Sequence, residues 1–266
     1  MANKTNRNGG ETANNKTRVL LYDVETSPNL AYIWGKYEQD ALGDFVKERQ
    51  IISIAWKWLG VSKIECLALP MLKSYKLDPG NNLELIEKFH AVMSQADIAI
   101  AHNIDEFDDK MVNTDMIKHG LRPLPPHLTV DTLRVARSKF RFNSNKLNDL
   151  GAFLKCGKKV KHWGFELWSR CMAGDPVAWK LMMRYNKGDV SLLEKVYLKL
   201  RPWMTKHPDM NALDGRDACP VCKSRNMKKQ GFKIVAGGKK QNFQCRDCGR
   251  WSIGAFVPKT DTWKFR

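Results

Sequence analysis

Apolar positions in the first hundred residues fall into short runs bounded by polar positions, a pattern typical of β-strands. The first run, Val19 to Val24, is apolar except for one acid, as expected for a strand buried on both faces. The next two runs are separated by Gly60-Val61-Ser62, which predicts a short hairpin turn. Four strands are therefore predicted, over residues 19–24, 49–60, 62–69 and 97–103.

Longer stretches carry apolar residues three and four positions apart, and these predict helices. They cover residues 81–95, 106–120, 130–140, 144–156 and 176–203. Ser144 or Asn145 is the expected N-cap of the fourth helix, and the proline-rich stretch Leu121–Leu128 is a predicted loop. Gly188 lies inside the last helix and predicts either a bend or two consecutive helices.

The order of these elements predicts the fold class. Hairpin-linked strands come first, helices and strands then alternate, and helices close the pattern, which indicates an α/β fold with a mixed sheet and the first strand at its centre. From about Pro208 the segments become short and rich in Gly, Lys and Cys. We therefore expect a main domain over residues 18–207 and a small second domain over residues 208–266.

Composition places the chain among globular proteins. Of its 266 residues 43% are hydrophobic and 10% aromatic, and no apolar run approaches the ~20 residues of a membrane span, so no membrane partner is expected. Residues 1–17 are rich in Asn, Gly and Thr and lack the apolar core of a signal peptide, which predicts a disordered tail. The seven cysteines are then expected in a reducing cytoplasm, where close pairs favour metal over disulfides.

The net charge of +17 is unevenly distributed and changes this picture. Residues 19–132 are acidic, with a net charge of −6, whereas residues 133–170 carry +8 and residues 201–266 carry +10. An acidic half beside basic segments indicates a carboxylate site next to surfaces that attract a polyanion, and we favour nucleic acid over a merely solvated basic surface.

Three separate segments supply the acids of that site. Asp23 and Glu25 stand two apart on the first strand, so both leave the same face, a costly arrangement unless a cation compensates it. Asp108 follows the fourth strand, and Tyr185 and Asp189 stand four apart on one helix face. Together the four acids predict an oxygen-rich cage for hard divalent cations such as Mg²⁺ or Mn²⁺.

These residues resemble the motifs of the DEDD 3′–5′ exonucleases of the RNase H-like superfamily. The D-x-E pair, the Asn103-x3-Phe107-Asp108 segment and the Y-x3-D pair stand in the family's order, and the resemblance covers roughly residues 18–200. Arg184 stands where the histidine subtype would need His, so Tyr185 fits the tyrosine subtype (DEDDy), as in family B polymerase proofreading domains and their stand-alone phage or bacterial relatives.

The resemblance implies an RNase H-like mixed sheet flanked by helices and a two-metal mechanism. Asp23 would bridge two Mg²⁺ or Mn²⁺ ions, Glu25 and Asp189 would hold the one that carries the attacking water, and Asp108 would help to place the other. Tyr185 would orient that water. The product would be a nucleoside monophosphate released from a 3′ end.

The same resemblance implies the partners. A single-stranded or frayed DNA 3′ end is the expected substrate because the closest likeness is to proofreading domains, and a 3′–5′ exoribonuclease is the alternative. A monomer in the cytoplasm (of the host, if phage-encoded), with a replication or recombination protein as partner, is the expected context. A non-catalytic nucleic-acid-binding or adaptor protein stays open as a second class.

A basic and aromatic segment, residues 158–170, adds candidate contacts to nucleic acid. Lys158, Lys159 and Lys161 are expected to contact the phosphate backbone, and Asn103 of the second motif is a further candidate. Trp163, with two neighbouring aromatic residues, is expected either to stack on unpaired bases or to form a core stripe between helices.

The second domain carries two cysteine pairs with 22 residues between them, Cys219-x2-Cys222 and Cys245-x2-Cys248. This spacing predicts a structural zinc ribbon with one Zn²⁺ ion, which a segment this short needs in order to fold. Its basic residues, Lys239 and Lys240 among them, favour a nucleic-acid clamp, with protein docking as the competing interpretation.

Overall fold

The computed structural model of the chain describes residues 16–35, 44–213, 215 and 217–258, with side chains as far as residue 254. Most of the tail predicted over residues 1–17, and the basic end at 259–266, lie outside the described residues. The chain divides into two compact units, Arg18–Pro208 and a second unit from Asp209 onward that also includes Thr17. Among the described residues, no helix has both the length and the apolar character that crossing a bilayer requires.

The first unit is built on a five-stranded sheet in the order β3-β2-β1-β4-β5. Its strands are β1 (Val19–Thr26), β2 (Ile51–Trp58), β3 (Glu65–Ala68), β4 (Ile98–Ala101) and β5 (Leu128–Asp131). β1 pairs antiparallel with β2 and parallel with β4, so the sheet is mixed. The predicted α/β class, and the central place of the first strand, are confirmed.

Within the described part of the first unit, six α-helices flank this sheet: α1 (Leu83–Met93), α2 (Asp108–Lys118), α3 (Thr132–Lys139), α4 (Leu147–Phe153), α5 (Phe165–Met172) and α6 (Pro176–Leu200). α6 is continuous through Gly188, so the prediction of two consecutive helices is wrong. The glycine serves close packing instead, because a Cβ at this position would lie 2.7 Å from Cγ2 of Val160.

Three local predictions differ from the structure. Residues Leu128–Asp131, predicted as the end of a loop and the start of a helix, form β5, and the Asp131 carboxylate then caps α3 by accepting from the amide of Leu133 at 2.8 Å. Lys146 rather than Ser144 or Asn145 occupies the N-cap position of α4. The helix α5 was not predicted at all.

The core of the first unit lies between the sheet and its helices. Tyr22 of β1 is fully buried, and its ring lies 5.3 Å from that of Phe89 on α1, which in turn lies 5.9 Å from Trp56 of β2. Met182, one turn before Tyr185 on α6, is fully buried in the same core. The apolar period of α6 therefore fixes which side of this helix faces β1.

The second unit is an antiparallel sheet of β6 (Met227–Val235), β7 (Gly238–Cys245) and β8 (Trp251–Pro258). Gly237, at φ +80°, stands at the turn between β6 and β7. The described buried apolar cluster of this sheet consists of Cys219, Val221 and Cys245. This small apolar content is what the sequence predicts for a unit held by metal.

Candidate active site

Three of the predicted acids meet where α6 packs on β1. Asp23 and Glu25 project from the same face of β1, and Asp189 projects from the buried face of α6. Each offers one carboxylate oxygen, and these three oxygens lie within 4.8 Å of one another. The structure thus brings together residues from the two ends of the first unit.

Asn186, which was not among the predicted site residues, fixes the position of Asp23 in this cluster. The Nδ2 of Asn186 donates to the carboxylate of Asp23 at 2.7 Å and to its backbone carbonyl at 3.1 Å. Its Oδ1 accepts from the Ser53 hydroxyl of β2 at 2.9 Å, and both side chains are fully buried. The sequence did contain one indication of this role: Asn186 is a polar residue three positions before Asp189, on a helix face that is otherwise apolar.

Asp108 lies beside the three acids rather than among them. It starts α2, is 3% exposed, and its Oδ1 accepts from the backbone amide of Val24 at 3.2 Å. Burial and the nearby Asp23 raise the pKa of the Asp108 carboxyl well above its ordinary value. The predicted four-acid cage is therefore a three-acid cluster with a fourth carboxyl next to Asp23.

Tyr185 sits one helical turn before Asp189 and faces the same cluster. Its ring is 7% exposed and packs edge-on against His162, at a centroid distance of 4.7 Å, and against Trp168 at 6.1 Å. Burial and the adjacent Asp189 raise the pKa of the phenol above its ordinary value. The hydroxyl is therefore protonated at neutral pH and available for hydrogen bonding.

Lys159 is placed differently from its prediction. It was expected to contact a phosphate backbone, but in this structure its ammonium lies 2.5 Å from Asp189 Oδ2 and donates to the Tyr185 hydroxyl at 3.1 Å. Burial lowers the pKa of Lys159, but Asp189 and the other acidic groups around it together raise it overall. Lys159 is turned toward Asp189 by tertiary packing. The segment after α4 crosses α6 at Gly188, which has no side chain and therefore leaves room for the neighbouring Val160.

The crowding of the acids changes their protonation. Burial, followed by repulsion from Asp189, raises the pKa of Asp23 to about 7. Burial and Asp23 raise the pKa of Glu25 well above its ordinary value. The pKa of Asp189 is raised by burial, although Lys159 opposes the shift. Near neutral pH the cluster therefore retains protons that a bound cation would displace.

The acid cluster fits a hard divalent cation. Oδ1 of Asp189 is buried and has no hydrogen-bond partner among the residues that the structure describes. An unpaired buried carboxylate oxygen is costly unless something binds it. Carboxylate oxygens are also the ligands that Mg²⁺ and Mn²⁺ prefer.

The other predicted nucleic-acid contacts near Lys159 in the sequence are at least partly exposed to solvent. Lys158 and Lys161 are exposed on either side of Lys159. Trp163 is 41% exposed, and the Arg170 guanidinium lies 4.4 Å from the centre of its ring. Of the two interpretations offered for the aromatic segment, Trp168 matches the core one because it packs against the hydrophobic core.

Asn103 has a backbone role in the structure. It adopts a left-handed φ of +82°, its amide donates to the Asp131 carboxylate at 3.0 Å, and its carbonyl accepts from the amide of Phe107 at 2.9 Å. Asn tolerates this conformation better than most residues. The turn that it forms leads the chain from β4 into α2, where Asp108 begins the helix.

The four cysteines of the second unit form one cluster. The Cys219 and Cys248 sulfurs lie 3.7 Å apart and the Cys222 and Cys245 sulfurs 3.6 Å apart. A tetrahedral zinc ion with bonds of about 2.3 Å would hold its sulfur ligands about 3.8 Å apart, so the cluster is consistent with a zinc ribbon.

The lysine pair predicted for this unit lies on β7. Lys239 and Lys240 are consecutive in the strand and therefore point to opposite faces of the small sheet. The ammonium of Lys239 lies 4.5 Å from the centre of the Phe232 ring on β6.

Fold and site together define an RNase H-like α/β protein with a carboxylate cluster suited to divalent cations. Residues 58–201 match the family model described as the RNase H superfamily. The match covers more than half of the chain, so this protein belongs to the RNase H superfamily. Membership supports a nuclease that uses divalent metal ions and acts on nucleic acid.

A solved structure of the family B DNA polymerase from the hyperthermophilic archaeon Pyrobaculum calidifontis has a similar fold, with a TM-score of 0.51 and 15% identity. The similarity covers 70% of this chain and 25% of the polymerase, so the chain spans about a quarter of that protein. At this identity the likeness is one of fold alone. No curated protein matches the sequence.

Proposed function

We propose that this protein is a metal-dependent 3′–5′ exonuclease of the tyrosine DEDD subtype, which releases nucleoside monophosphates from DNA 3′ ends. The observation that carries the proposal is the meeting of Asp23, Glu25 and Asp189 within 4.8 Å, beside Asp108 and Tyr185. Three of the five motif residues therefore meet, and the other two lie next to them, in the order that the family's motifs would have.

Asp23, Glu25 and Asp189 would hold two Mg²⁺ or Mn²⁺ ions, with Asp108 helping to place one of them. Bound ions of this kind lower the pKa of water and neutralise charge on the attacking and leaving oxygens. Asn186 keeps the carboxylate of Asp23 in position for this task, with Ser53 behind it.

Tyr185 would orient the attacking water through its hydroxyl. Because the pKa of its phenol is raised, Tyr185 positions the water and does not remove its proton. Lys159 offsets the negative charge of Asp189 and donates to the hydroxyl of Tyr185, so it fixes both partners.

Support for DNA over RNA is the similarity in fold to a family B DNA polymerase. An exoribonuclease is the second candidate, because the same carboxylate chemistry serves both sugars. We further propose that residues 18–207 are the catalytic domain and residues 208–266 a one-zinc ribbon that contacts nucleic acid. We expect a monomer that works beside a replication or recombination protein.

The test is digestion of matched DNA and RNA strands, labelled at the 3′ or the 5′ end, with Mg²⁺ or Mn²⁺. We expect immediate release of the 3′ label as a mononucleotide and a ladder of shortened 5′-labelled products. Asp189→Asn and Asp23→Asn should each lower turnover by roughly 10³-fold or more. Asp105→Asn is the matched control, because Asp105 pairs with Arg134 outside the cluster.

Two outcomes would refute the proposal. Internal cleavage products would indicate an endonuclease, and full activity of Asp189→Asn would remove the cluster from the reaction. Tyr185→Phe separates positioning from binding: turnover should fall, whereas the Kd for a single strand measured in Ca²⁺ should change less than about twofold.

A further inference from the structure

An aromatic surface of the first unit takes no part in the site described above. The rings of Phe140 and Phe142 are stacked, with centroids 4.9 Å apart. Phe140 also meets Trp203 edge-on at 5.6 Å, and Phe142 meets Phe153 at 5.2 Å. These four residues, here called the aromatic platform, join the loop after α3, the end of α4 and the turn after α6.

The aromatic platform is open to solvent. Phe153 is 70% exposed and Trp203 is 61% exposed, whereas Phe140 and Phe142 are half-buried. None of the four belongs to the buried core between sheet and helices. Contiguous exposed rings of this kind mark interaction surfaces more often than isolated exposed residues do.

Cations flank the loop of the aromatic platform in the sequence. Arg137, Lys139, Arg141 and Lys146 lie on both sides of its loop and are all exposed. None of the four forms an ion pair with any residue that the structure describes, although Arg134 on the same helix α3 does. Exposed aromatic faces among free positive charges match single-stranded nucleic acid, whose bases stack and whose phosphates are negative.

The loop and helix that carry part of the aromatic platform are hydrogen-bonded to residues beside the acid cluster. The loop that carries Phe140 and Phe142 continues to Asn145, whose carbonyl is 2.9 Å from Nε2 of His102 at the carboxyl end of β4. One turn into α4, the side chain of Asn148 accepts from the backbone amide of Lys159 at 3.0 Å.

The distance to the acid cluster follows from α6. Trp203 comes 14 residues after Asp189, which at 1.5 Å per residue is on the order of 20 Å along the helix. One strand of stacked nucleotides spans this distance with about six residues, at about 3.4 Å each. An extended strand needs fewer.

We propose that the aromatic platform binds the single strand on the 5′ side of its 3′ end, up to about six nucleotides from the cleaved bond. The proposal deepens the exonuclease function and rests on it for direction: with a 3′ end at Asp23, Glu25 and Asp189, the rest of the strand passes over Phe142, Phe153 and Trp203. Bases stack on the rings while Arg141 and its neighbours contact phosphates.

The experiment compares a dinucleotide, which is too short to reach the aromatic platform, with a 20-nucleotide single strand. The variants are Phe153→Ala, Trp203→Ala and Arg141→Gln. Ile117→Ala, which removes a 79% exposed side chain from α2, is the control for the aromatic changes. Lys88→Gln, which loses an ion-paired surface lysine, is the control for the charge change.

We expect the ratio of kcat/KM for the 20-nucleotide strand to that for the dinucleotide to fall about fivefold or more in each platform variant. The two controls should keep the wild-type ratio. Arg141→Gln should also reduce the slope of log Kd against log salt concentration by about 0.7, as for one lost phosphate contact.

An unchanged ratio in all three variants would overturn the proposal and leave the aromatic platform to a protein partner or to packing alone. An equal loss on both substrates would overturn it too, because the effect would then lie in the acid cluster. Binding of 20-nucleotide and 4-nucleotide strands, measured by anisotropy without divalent metal, separates this failure from that of the exonuclease function. If the wild-type protein cleaves neither substrate, the binding preference for the longer strand and its loss in Phe153→Ala still test the surface.

Discussion

The acid cluster and the cysteine cluster both bring together side chains of the kind that bind metals, from separated parts of the chain. They differ in how much packed structure holds those side chains in position. Asp189 lies on a 25-residue helix packed on the central strand of a sheet. The cysteines lie on two tight turns beside a small sheet, and the apolar residues buried with them in the described structure amount to Val221.

This difference separates two uses of metal. In the first unit the hydrophobic core buries carboxylates close to one another, and burial, followed by repulsion from Asp189, raises the pKa of Asp23 to about 7. The fold there prepares a site for ions. In the second unit little apolar surface is buried, so an ion that holds four thiolates would supply the folding free energy itself.

The largest expected effect comes from removing the zinc ion proposed for the cysteine cluster. Chelation, or Cys245→Ser, should unfold residues 219–258 while the first unit stays folded, because only the second unit lacks a core. Hydrogen exchange should show loss of protection in β6, β7 and β8 and unchanged protection in β1 and β4. Transfer into Mg²⁺-free buffer without a chelator, which removes Mg²⁺ and leaves a zinc–thiolate site loaded, is the control. Equal loss of protection in both units would contradict the comparison.

The next effect concerns packing. Phe89→Ala should destabilise the first unit by about 3–5 kcal/mol, because the ring is 1% exposed and contacts Tyr22 and Trp56. Phe232→Ala, at a half-exposed site on β6, should cost less than about 0.5 kcal/mol. Urea unfolding monitored separately for the two units measures both values. Similar costs at the two sites would mean that the second unit has a core of its own.

A smaller effect is the pH dependence of metal binding to the acid cluster. Because the pKa of Asp23 is raised to about 7, the folded protein holds a proton that the unfolded chain loses near pH 4. The metal-free first unit therefore loses stability as the pH rises from about 4 to about 7, and this loss levels off at higher pH. A divalent ion displaces that proton, so its affinity should rise up to about tenfold per pH unit below pH 7.

The measurement is the shift in Tm on addition of Mn²⁺, taken from pH 5.5 to pH 8.5. We expect a small shift at pH 5.5 and a larger, constant one above pH 7.5. Asp23→Asn should remove most of the pH dependence. A shift of equal size across the range would show that the carboxyls are not protonated in the metal-free protein.

The smallest expected effect is at Lys223 in the first cysteine turn. Lys223 has a φ of +61° where the second turn has Gly249 at +80°, and the left-handed conformation costs a residue other than glycine about 1 kcal/mol. Lys223→Gly should tighten zinc binding by up to about fivefold, measured by competition with a chelator. Lys239→Gly, in a strand, is the control and should weaken the unit.

Sequence patterns predicted what short-range periodicity encodes. Val19–Val24 reads as a buried strand, and α6 reads as a helix, because their apolar spacing spans many residues. The acids Asp23, Glu25 and Asp189 were found because their types and separations are unusual inside apolar elements. The cysteine spacing likewise stands out from its surroundings.

What the sequence did not reveal depends on contacts made across the fold. β5 has four residues, half of them exposed, and is a strand because Thr129 pairs with Ala99 of β4. Lys159 resembles its exposed neighbours in the sequence, and only the packing of its segment on α6 turns it toward Asp189. Asn186 belongs to the site only because the fold places it within hydrogen-bonding distance of Asp23.

The hydrogen bond between Asn186 and Asp23 joins residues 163 positions apart, and that separation has a consequence for synthesis. At about 5–20 residues per second a ribosome needs roughly 10–30 s to travel from one to the other. Throughout that time the nascent chain carries Asp23 and Glu25 without the helix that completes their cluster. A truncated translation product that ends before α6 therefore lacks the acid cluster, which can assemble only after the ribosome has made that helix.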